Sequence, residues 1–235
     1  MKTLNVSPSL TEQVYQAIVE EILEGRLIQG EHLVQEQLAA KLGVSRQPIQ
    51  QAMALLKAAG VVEEVGKRGL RVAALDIGMI RGHYDIRELL DGYAARAAAD
   101  AIAEGRINAD DYRGQIDEIM ARGADAIKAQ QVREQIRHDE ALHKLIYRMS
   151  GNPVLDQMSE PNWRYLRRVM AEVLRQAEPA DMIWEQHQLI IDAILNGDAK
   201  AAGEQAETHV RKAADLLIST LTRHGLAGQK QSTAA

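Results

Sequence analysis

Length, composition and charge exclude several classes of protein. The chain has 235 residues and a mass of 26.0 kDa, which favours two modest domains over one. It has no cysteine, so disulfide scaffolds, thiolate zinc sites and cysteine nucleophiles are excluded. Aromatic residues make up only 3% of the chain, whereas alanine contributes 35 residues. This composition favours helix bundles over β-sheets.

The net charge of −5 is distributed unevenly along the chain. Residues 1–75 hold eight Lys or Arg and eight Glu, so the remaining residues carry the whole net charge. The average charge is therefore a poor guide to whether the first part binds nucleic acid. Without an 18-residue apolar run or an N-terminal signal sequence, we expect a cytoplasmic protein with no membrane partner.

Hydrophobic spacing in the first third of the chain predicts three helices and a hairpin. Ser9 and Glu12 form a capping box at the start of the first helix, Gly43 ends the second, and Ser45 can cap the third. Beyond Gly60 the pattern becomes strand-like, with a basic turn between two short strands. The predicted bounds are about 10–24, 35–42 and 46–59 for the helices and 61–74 for the hairpin.

The rest of the chain has helical periodicity nearly to its end, with a frayed tail expected over 225–235. The predicted fold is mainly α, with an N-terminal winged helix-turn-helix over residues 1–75 and an all-α antiparallel helical bundle over 76–235. The predicted helices of the bundle span about 80–103, 109–128, 132–149, 153–176, 180–195 and 199–224.

The order of helix, helix, short turn, helix and hairpin is that of a winged helix-turn-helix, which reads DNA with its third helix. Arg46, Gln47 and Gln50 lie on the first turn and a half of this helix. Arg suits bidentate contact with guanine, and Gln suits adenine. These three residues are therefore predicted to contact bases. On spacing alone, a three-helix protein-binding unit remains the alternative.

The tip of the predicted hairpin is the second candidate DNA contact. Lys67 and Arg68 suit contact with phosphate or the minor groove, and Gly69 allows the backbone to approach closely.

A possible metal site is spread over three helices of the predicted bundle. Asp139 and His143 are four residues apart and therefore share a helix face, while His187 and His209 lie on the inner faces of two later helices. Three imidazoles and a carboxylate can hold a divalent metal. Hydrogen-bonded core histidines, with Asp139 and His143 as a helix-surface pair, remain the alternative. No function is assigned to the histidines near helix ends or on polar faces, which are His32, His83, His138 and His224.

The first part of the chain resembles the GntR family of bacterial transcription regulators. The resemblance covers about residues 10–74 and is most specific in Leu-Gly-Val-Ser-Arg-Gln-Pro-Ile over 42–49. It implies a DNA-contacting role for Arg46. The family usually has arginine where this chain has Gln50 and proline where it has Gln29. The DNA-contacting role of that second arginine therefore does not apply to Gln50, and we expect a base preference that differs from that of the family.

Residues 80–222 resemble the FCD effector domain of the FadR subfamily. The similarity lies in the segment from Arg87 to Ala99, in Ser-Gly-Asn-Pro over 150–153 and in Asn-Gly-Asp-Ala over 196–199. The Asp, His, His, His order of the four candidate ligands matches the metal-binding members of the subfamily. Leu142 replaces a usual aromatic residue and Asp91 a usual glutamate, and neither change removes a ligand.

The FCD resemblance implies a divalent metal and a small organic acid bound to it. Zinc is favoured, with nickel, manganese or iron as alternatives. Arg87 matches an arginine often aimed at the effector cavity, where a guanidinium would complement a carboxylate. A surface ion pair with Asp91 is the other role considered for Arg87.

The predicted function is that of a regulator whose affinity for its operator is controlled by a small carboxylate metabolite. We expect a homodimer on double-stranded DNA with two half-sites, because paired winged-helix units gain affinity and specificity. We expect no enzyme activity. The alternatives are a metal-dependent enzyme acting on a small carboxylate and a regulator with a purely structural metal.

Overall fold

The computed structural model of the chain describes residues 8–66, 69–176 and 181–225. The chain divides into two compact units, Met1–Leu75 and Asp76–Ala235. In the described part, the first unit contains three helices and a two-stranded sheet, and the second contains six helices. The prediction of a mainly α fold, with a winged helix-turn-helix followed by a helical bundle, is confirmed.

The first unit forms around the apolar faces of its three helices. Ser9 caps the first helix as predicted, because its hydroxyl oxygen accepts a hydrogen bond of 3.1 Å from the Glu12 N–H. Ile18 and Ile49 pack in the core beneath the sheet, both almost completely buried. The elements are α1 (Leu10–Leu23), α2 (Gln35–Leu42), α3 (Arg46–Ala58), β1 (Val62–Val65) and β2 (Gly69–Val72).

The turn between α2 and α3 depends on Gly43, whose φ of 66° lies in the left-handed region that favours glycine. Ser45 occupies the N-cap position of α3, but its side chain makes no capping hydrogen bond. The predicted Ser45 cap is therefore absent, and its hydroxyl does not satisfy the first N–H groups of α3.

The hairpin pairs β1 with β2 in antiparallel register, with Val62 opposite Val72 and Val65 opposite Gly69. The segment before α2 extends this sheet, since the Leu33 N–H donates to the Leu70 carbonyl at 2.8 Å. A Cβ atom at position 69 would lie 2.7 Å from the Val65 carbonyl oxygen. The hairpin itself therefore requires glycine at this position.

The second unit is a bundle in which α4 packs chiefly against α9. The buried face of α4 contains small residues such as Ala94, Ala95 and Ala98, which let the helices approach closely. This packing explains the alanines on the buried face of α4. The helices are α4 (Ile77–Ala103), α5 (Asp110–Lys128), α6 (Val132–Met149), α7 (Leu155–Leu174), α8 (Asp181–Leu195) and α9 (Ala199–Arg223).

Helix α4 begins three residues earlier than predicted. Asp76 caps it, because its carboxylate accepts a hydrogen bond of 2.9 Å from the Met79 N–H. Within the described ranges, no helix combines the length and the apolar character needed to cross a membrane.

Candidate metal centre and nucleic-acid interface

Four side chains from three helices converge inside the second unit. Asp139 and His143 come from α6, His187 from α8 and His209 from α9. One potential ligand atom of each lies within 4.8 Å of the others, and all four residues are buried. The structure therefore brings together the predicted ligand residues. Burial also excludes the alternative that Asp139 and His143 form a helix-surface pair.

The distances show that the Nε2 atoms of the histidines face a common region. His187 Nε2 lies 3.1 Å from His209 Nε2 and 3.3 Å from Asp139 Oδ1. His143 Nε2 lies 3.8 Å from the same carboxylate oxygen. Three imidazole nitrogens and one carboxylate oxygen thus surround one small region, an arrangement that could hold a metal ion.

Two further residues contact the Nδ1 atoms of His143 and His209, on the side of each ring that faces away from the cluster. Asp91 Oδ2 lies 3.0 Å from His143 Nδ1, and Gln186 Oε1 lies 3.3 Å from His209 Nδ1. If each Nδ1 carries the proton and donates to its oxygen, Nε2 is left with a free lone pair toward the cluster. The sequence interpretation missed this arrangement, because only the fold places these residues behind the imidazoles.

The donor atoms fit a divalent metal. His143 Nε2 is buried and has no hydrogen-bond partner, although its Nδ1 is paired. A buried polar atom without a partner is costly, and a bound cation would satisfy this nitrogen. Three imidazoles and a carboxylate suit zinc and the other transition metals considered above. The four cluster residues would hold the ion.

The electrostatics favour the protonation states that bind metal. Burial lowers the pKa of His187 and His209 below the ordinary histidine value, and burial of Asp139 is outweighed by Arg87 and His187, which hold its pKa low. Neutral imidazoles and an ionised carboxylate are the forms that coordinate a metal.

Arg87 is buried beside the cluster rather than on the surface. Its Nε donates to Asp91 Oδ2 at 3.1 Å, and its Nη2 lies 3.5 Å from Asp139 Oδ2. The guanidinium also lies over the Trp163 ring, 4.2 Å from its centroid. The i,i+4 pair with Asp91 therefore exists, but it is buried and not on the surface as in the alternative role considered for Arg87, since both side chains are only 2% exposed.

A cavity of about 70 Å³ adjoins the cluster. Asp139, His209, Arg87 and Tyr84 provide much of its polar wall. Gln135 also lines it, with its amide nitrogen donating to the Ala126 carbonyl at 3.2 Å. The remaining lining residues are Ile127, Met170, Leu174, Ile183, Trp184, Ala213, Leu216 and Leu217.

Two histidines outside the cluster have other partners. His83 stacks on Tyr165 with ring centroids 4.1 Å apart and is hydrogen-bonded to Asn162. His138 is buried, with Nε2 3.6 Å from a Glu134 carboxylate oxygen. The expectation that His138 lies at a helix end or on a polar face is therefore wrong, because its side of α6 is covered by the bundle. Neither belongs to the metal cluster.

The predicted DNA-reading residues lie on the exposed face of α3. Arg46, Gln47 and Gln50 are all exposed, whereas Pro48 and Ile49 face the core. The Arg46 guanidinium forms an ion pair with Glu36 of α2. Both side chains are about two-thirds exposed, so separating them for a base contact would cost little. Lys67 and Arg68 lie outside the described residues, and Gly69 begins β2.

Sequence models of two families match the chain. The FCD domain matches residues 83–212, and the bacterial regulatory proteins of the gntR family match residues 10–72. Among solved structures, E. coli McbR/YncC has a TM-score of 0.73 and 19% identity, covering 91% of this chain and 99% of that chain. The metal-free FCD domain of TM0439 has a TM-score of 0.50 and 24% identity, covering 64% of this chain and 99% of that chain. At these identities the likeness concerns the fold.

Curated relatives match over most of their length. A "Probable D-xylose utilization operon transcriptional repressor" from Paenarthrobacter nicotinovorans is 30% identical over 206 residues, or 86% of this chain and 85% of the relative. The HTH-type transcriptional repressor RspR of Escherichia coli K12 is 22% identical over 209 residues, or 89% of each. The chain belongs to the GntR family of bacterial transcription regulators and carries an FCD domain.

Proposed function

We propose that this regulator binds a divalent metal at Asp139, His143, His187 and His209, and that a small organic acid at this metal controls its affinity for operator DNA. The observation that carries the proposal is the buried cluster of three imidazoles and one carboxylate beside a cavity. When bound, the metal would supply a positive charge that attracts a carboxylate. Arg87, which lines the same cavity, would bind and orient that carboxylate.

The DNA-binding surface of the proposed regulator is the exposed face of α3. Arg46, Gln47 and Gln50 would contact base edges in the major groove, and the wing residues Lys67, Arg68 and Gly69 would contact phosphate or the minor groove. Effector and DNA binding are then linked by a coupling free energy that acts equally in both directions. Whether the effector releases or recruits DNA follows from the sign of this coupling.

We further propose that the regulator is a homodimer that uses α4 as its interface. Four large apolar residues on one face of this helix are at least about half exposed, and successive members are seven, three and four residues apart. Such spacing places them on one stripe that suits packing against a second helix. The stripe consists of Met79, Ile86, Leu89 and Tyr93.

A metal-dependent enzyme acting on a carboxylate is the competing function. Activation of water usually employs a general base near the metal in addition to the ligands. Among the described residues that line the cavity, every carboxylate and imidazole belongs to the cluster itself. The two curated relatives described above are named as transcriptional repressors. These observations favour the regulator.

Removal of one ligand tests the proposed metal centre. We expect His187→Ala to lose metal binding, measured by elemental analysis after zinc loading and desalting, because the substitution removes a buried imidazole from the cluster. His138→Ala is the matched control, since His138 is also a buried bundle histidine but lies outside the cluster. It should retain wild-type metal content. Full zinc stoichiometry in folded His187→Ala protein would refute the site.

A further inference from the structure

We propose that the effector is a short-chain aliphatic monocarboxylate. This inference rests on the proposed metal-dependent function and specifies the ligand of that site. The carboxylate would lie at the metal and Arg87, and the aliphatic tail would lie along α9. Three features of the cavity carry the inference: its polarity gradient, its size and the absence of charged groups among the described residues at its apolar end.

The polar groups at one end of the cavity lie close together. Arg87 Nη2 lies 3.5 Å from Asp139 Oδ2. His187 Nε2 lies 3.3 Å from Asp139 Oδ1 and 3.1 Å from His209 Nε2. Tyr84 lies next to Arg87, whose guanidinium carbon is 5.7 Å from the Tyr84 ring centroid. Burial raises the pKa of Tyr84, so its hydroxyl stays protonated and can donate to a carboxylate. This end suits one anionic group.

The cavity becomes apolar along α9. His209 is followed on the same face by Ala213, and then by Leu216 and Leu217, all of which line the cavity. A helix rises about 1.5 Å per residue, so Ala213 lies about 6 Å beyond His209, within reach of a short tail, and the leucines lie farther along the helix. Three apolar side chains from α7 and α8 contribute to the wall, namely Met170, Leu174 and Ile183.

The size of the cavity limits the length of the ligand. Its volume is about 70 Å³, less than half of the roughly 150 Å³ in which an apolar cavity holds a benzene ring. The cavity therefore favours a ligand with a short tail, as in propionate, butyrate and 3-methylbutyrate.

A second carboxylate on the ligand would be unfavourable at the apolar end. Among the described residues that line the cavity, the one cationic side chain is Arg87, which lies at the cluster. Gln135 is uncharged, and one of its N–H groups donates to the Ala126 carbonyl, so it cannot neutralise a second carboxylate. An ionised group buried without a partner is costly, so dicarboxylates should bind more weakly than an aliphatic monocarboxylate of the same length.

A homologous series of acids tests the inference on the full-length, zinc-loaded protein. Binding of acetate, propionate, butyrate, 3-methylbutyrate and succinate would be measured by calorimetry, with and without a chelator. Each buried methylene should tighten binding about fourfold, so butyrate should bind about 15-fold more tightly than acetate. Succinate should bind at least about tenfold more weakly than butyrate.

A variant of the cavity wall locates the tail. Ala213→Leu should weaken butyrate binding about tenfold or more while changing acetate binding by less than about twofold, because the larger side chain fills the apolar end. The neighbouring Ala214 does not line the cavity, so Ala214→Leu is the matched control and should bind both acids normally. Metal content and helical circular dichroism verify that both variants are folded and loaded.

The outcomes separate this inference from the function on which it rests. Chelator-sensitive binding that tightens from acetate to butyrate, and that Ala213→Leu alone weakens, supports both. Chelator-sensitive binding in which acetate or succinate equals or exceeds butyrate overturns the aliphatic effector and leaves the metal-dependent function intact. If the zinc-loaded protein binds none of these acids, the aliphatic effector is refuted. If metal analysis also finds no zinc in the cluster, the proposed function fails with it.

Discussion

His143 depends on a side chain from another helix to present the correct nitrogen to the cluster. Its Nδ1 faces Asp91, which also accepts hydrogen bonds from Arg87 Nε and the Tyr147 hydroxyl. Burial opposes ionisation of Asp91, but His143 and Arg87 outweigh it and hold its pKa below the ordinary value. The carboxylate of Asp91 therefore connects Arg87 to His143, one of the four proposed metal ligands.

Replacement of Asp91 by Asn should weaken metal binding without removing a ligand. The amide has a single acceptor oxygen for the donors now shared by the carboxylate, so His143 loses the partner that fixes its ring and tautomer. We expect a 10–100-fold loss of zinc affinity, measured by competition with a chromogenic chelator. Tyr147→Phe removes a different donor to Asp91 and should retain zinc affinity. Wild-type zinc affinity in Asp91→Asn would contradict the positioning role.

At the scale of one residue, the prediction of DNA base contacts is tested at Arg46. We expect Arg46→Ala to cost about 1–3 kcal/mol in specific operator binding, because a bidentate guanine contact would be lost. The measurement is a binding titration at fixed salt against operator and unrelated DNA. Arg26→Ala is the matched control for the loss of one positive charge, since Arg26 pairs with Glu21 and lies outside α3. Equal losses of operator affinity in the two variants would contradict a base-reading role for Arg46.

At the scale of elements, the contact between α5 and α8 positions His187, a proposed metal ligand. Trp184 of α8 donates from Nε1 to the Met120 carbonyl of α5 at 3.0 Å, and its ring packs edge-on against His187 with centroids 4.7 Å apart. Gly123 of α5 makes room for the indole, because a Cβ atom there would lie 1.9 Å from the Trp184 ring. The glycine thus allows α8 to pack closely enough to bring His187 into the cluster.

Two glycine substitutions in α5 should have opposite effects. Gly123→Ala should destabilise the protein by about 1–3 kcal/mol, because the methyl group overlaps the Trp184 ring and forces the helices apart. Gly114→Ala meets nothing within 4 Å and should stabilise by up to about 1 kcal/mol through helix propensity. Urea denaturation followed by circular dichroism measures both. A neutral Gly123→Ala would show that the α5–α8 contact adapts easily.

At the scale of the whole molecule, the exposed stripe on α4 predicts how two copies associate. Leu89 is 69% exposed and lies on one stripe with three other exposed apolar residues, and a contiguous apolar patch is typical of a protein–protein contact. Leu89→Glu should convert a dimer into a monomer, because two charges would be buried at the interface. Sedimentation velocity measures the change. Leu189→Glu places the same substitution on the exposed side of α8, and this variant should remain dimeric. A dimeric Leu89→Glu together with a monomeric Leu189→Glu would instead place the interface on α8.

Much of the fold is determined by local sequence. Capping residues, apolar spacing and Gly43 mark the helices of the first unit within a residue or two, because these signals act over a single turn of chain. Spacing also placed Asp139 and His143 on one face of α6. The order of ligand types could be taken from the family resemblance. The bundle's helix boundaries were less certain, as Asp76 shows by starting α4 early.

The tertiary structure decided which of the predicted polar groups lie together. Spacing could not distinguish a surface pair from a buried cluster, because Asp139, His187 and His209 are brought within contact distance only when α6, α8 and α9 pack. The burial of Arg87 between two carboxylates and the role of Gln186 also arise from contacts between distant segments. The sequence alone thus determined the elements and the candidate ligands, since those signals are local. Packing alone determined the cluster, the orientation of its imidazoles and the apolar cavity beside it.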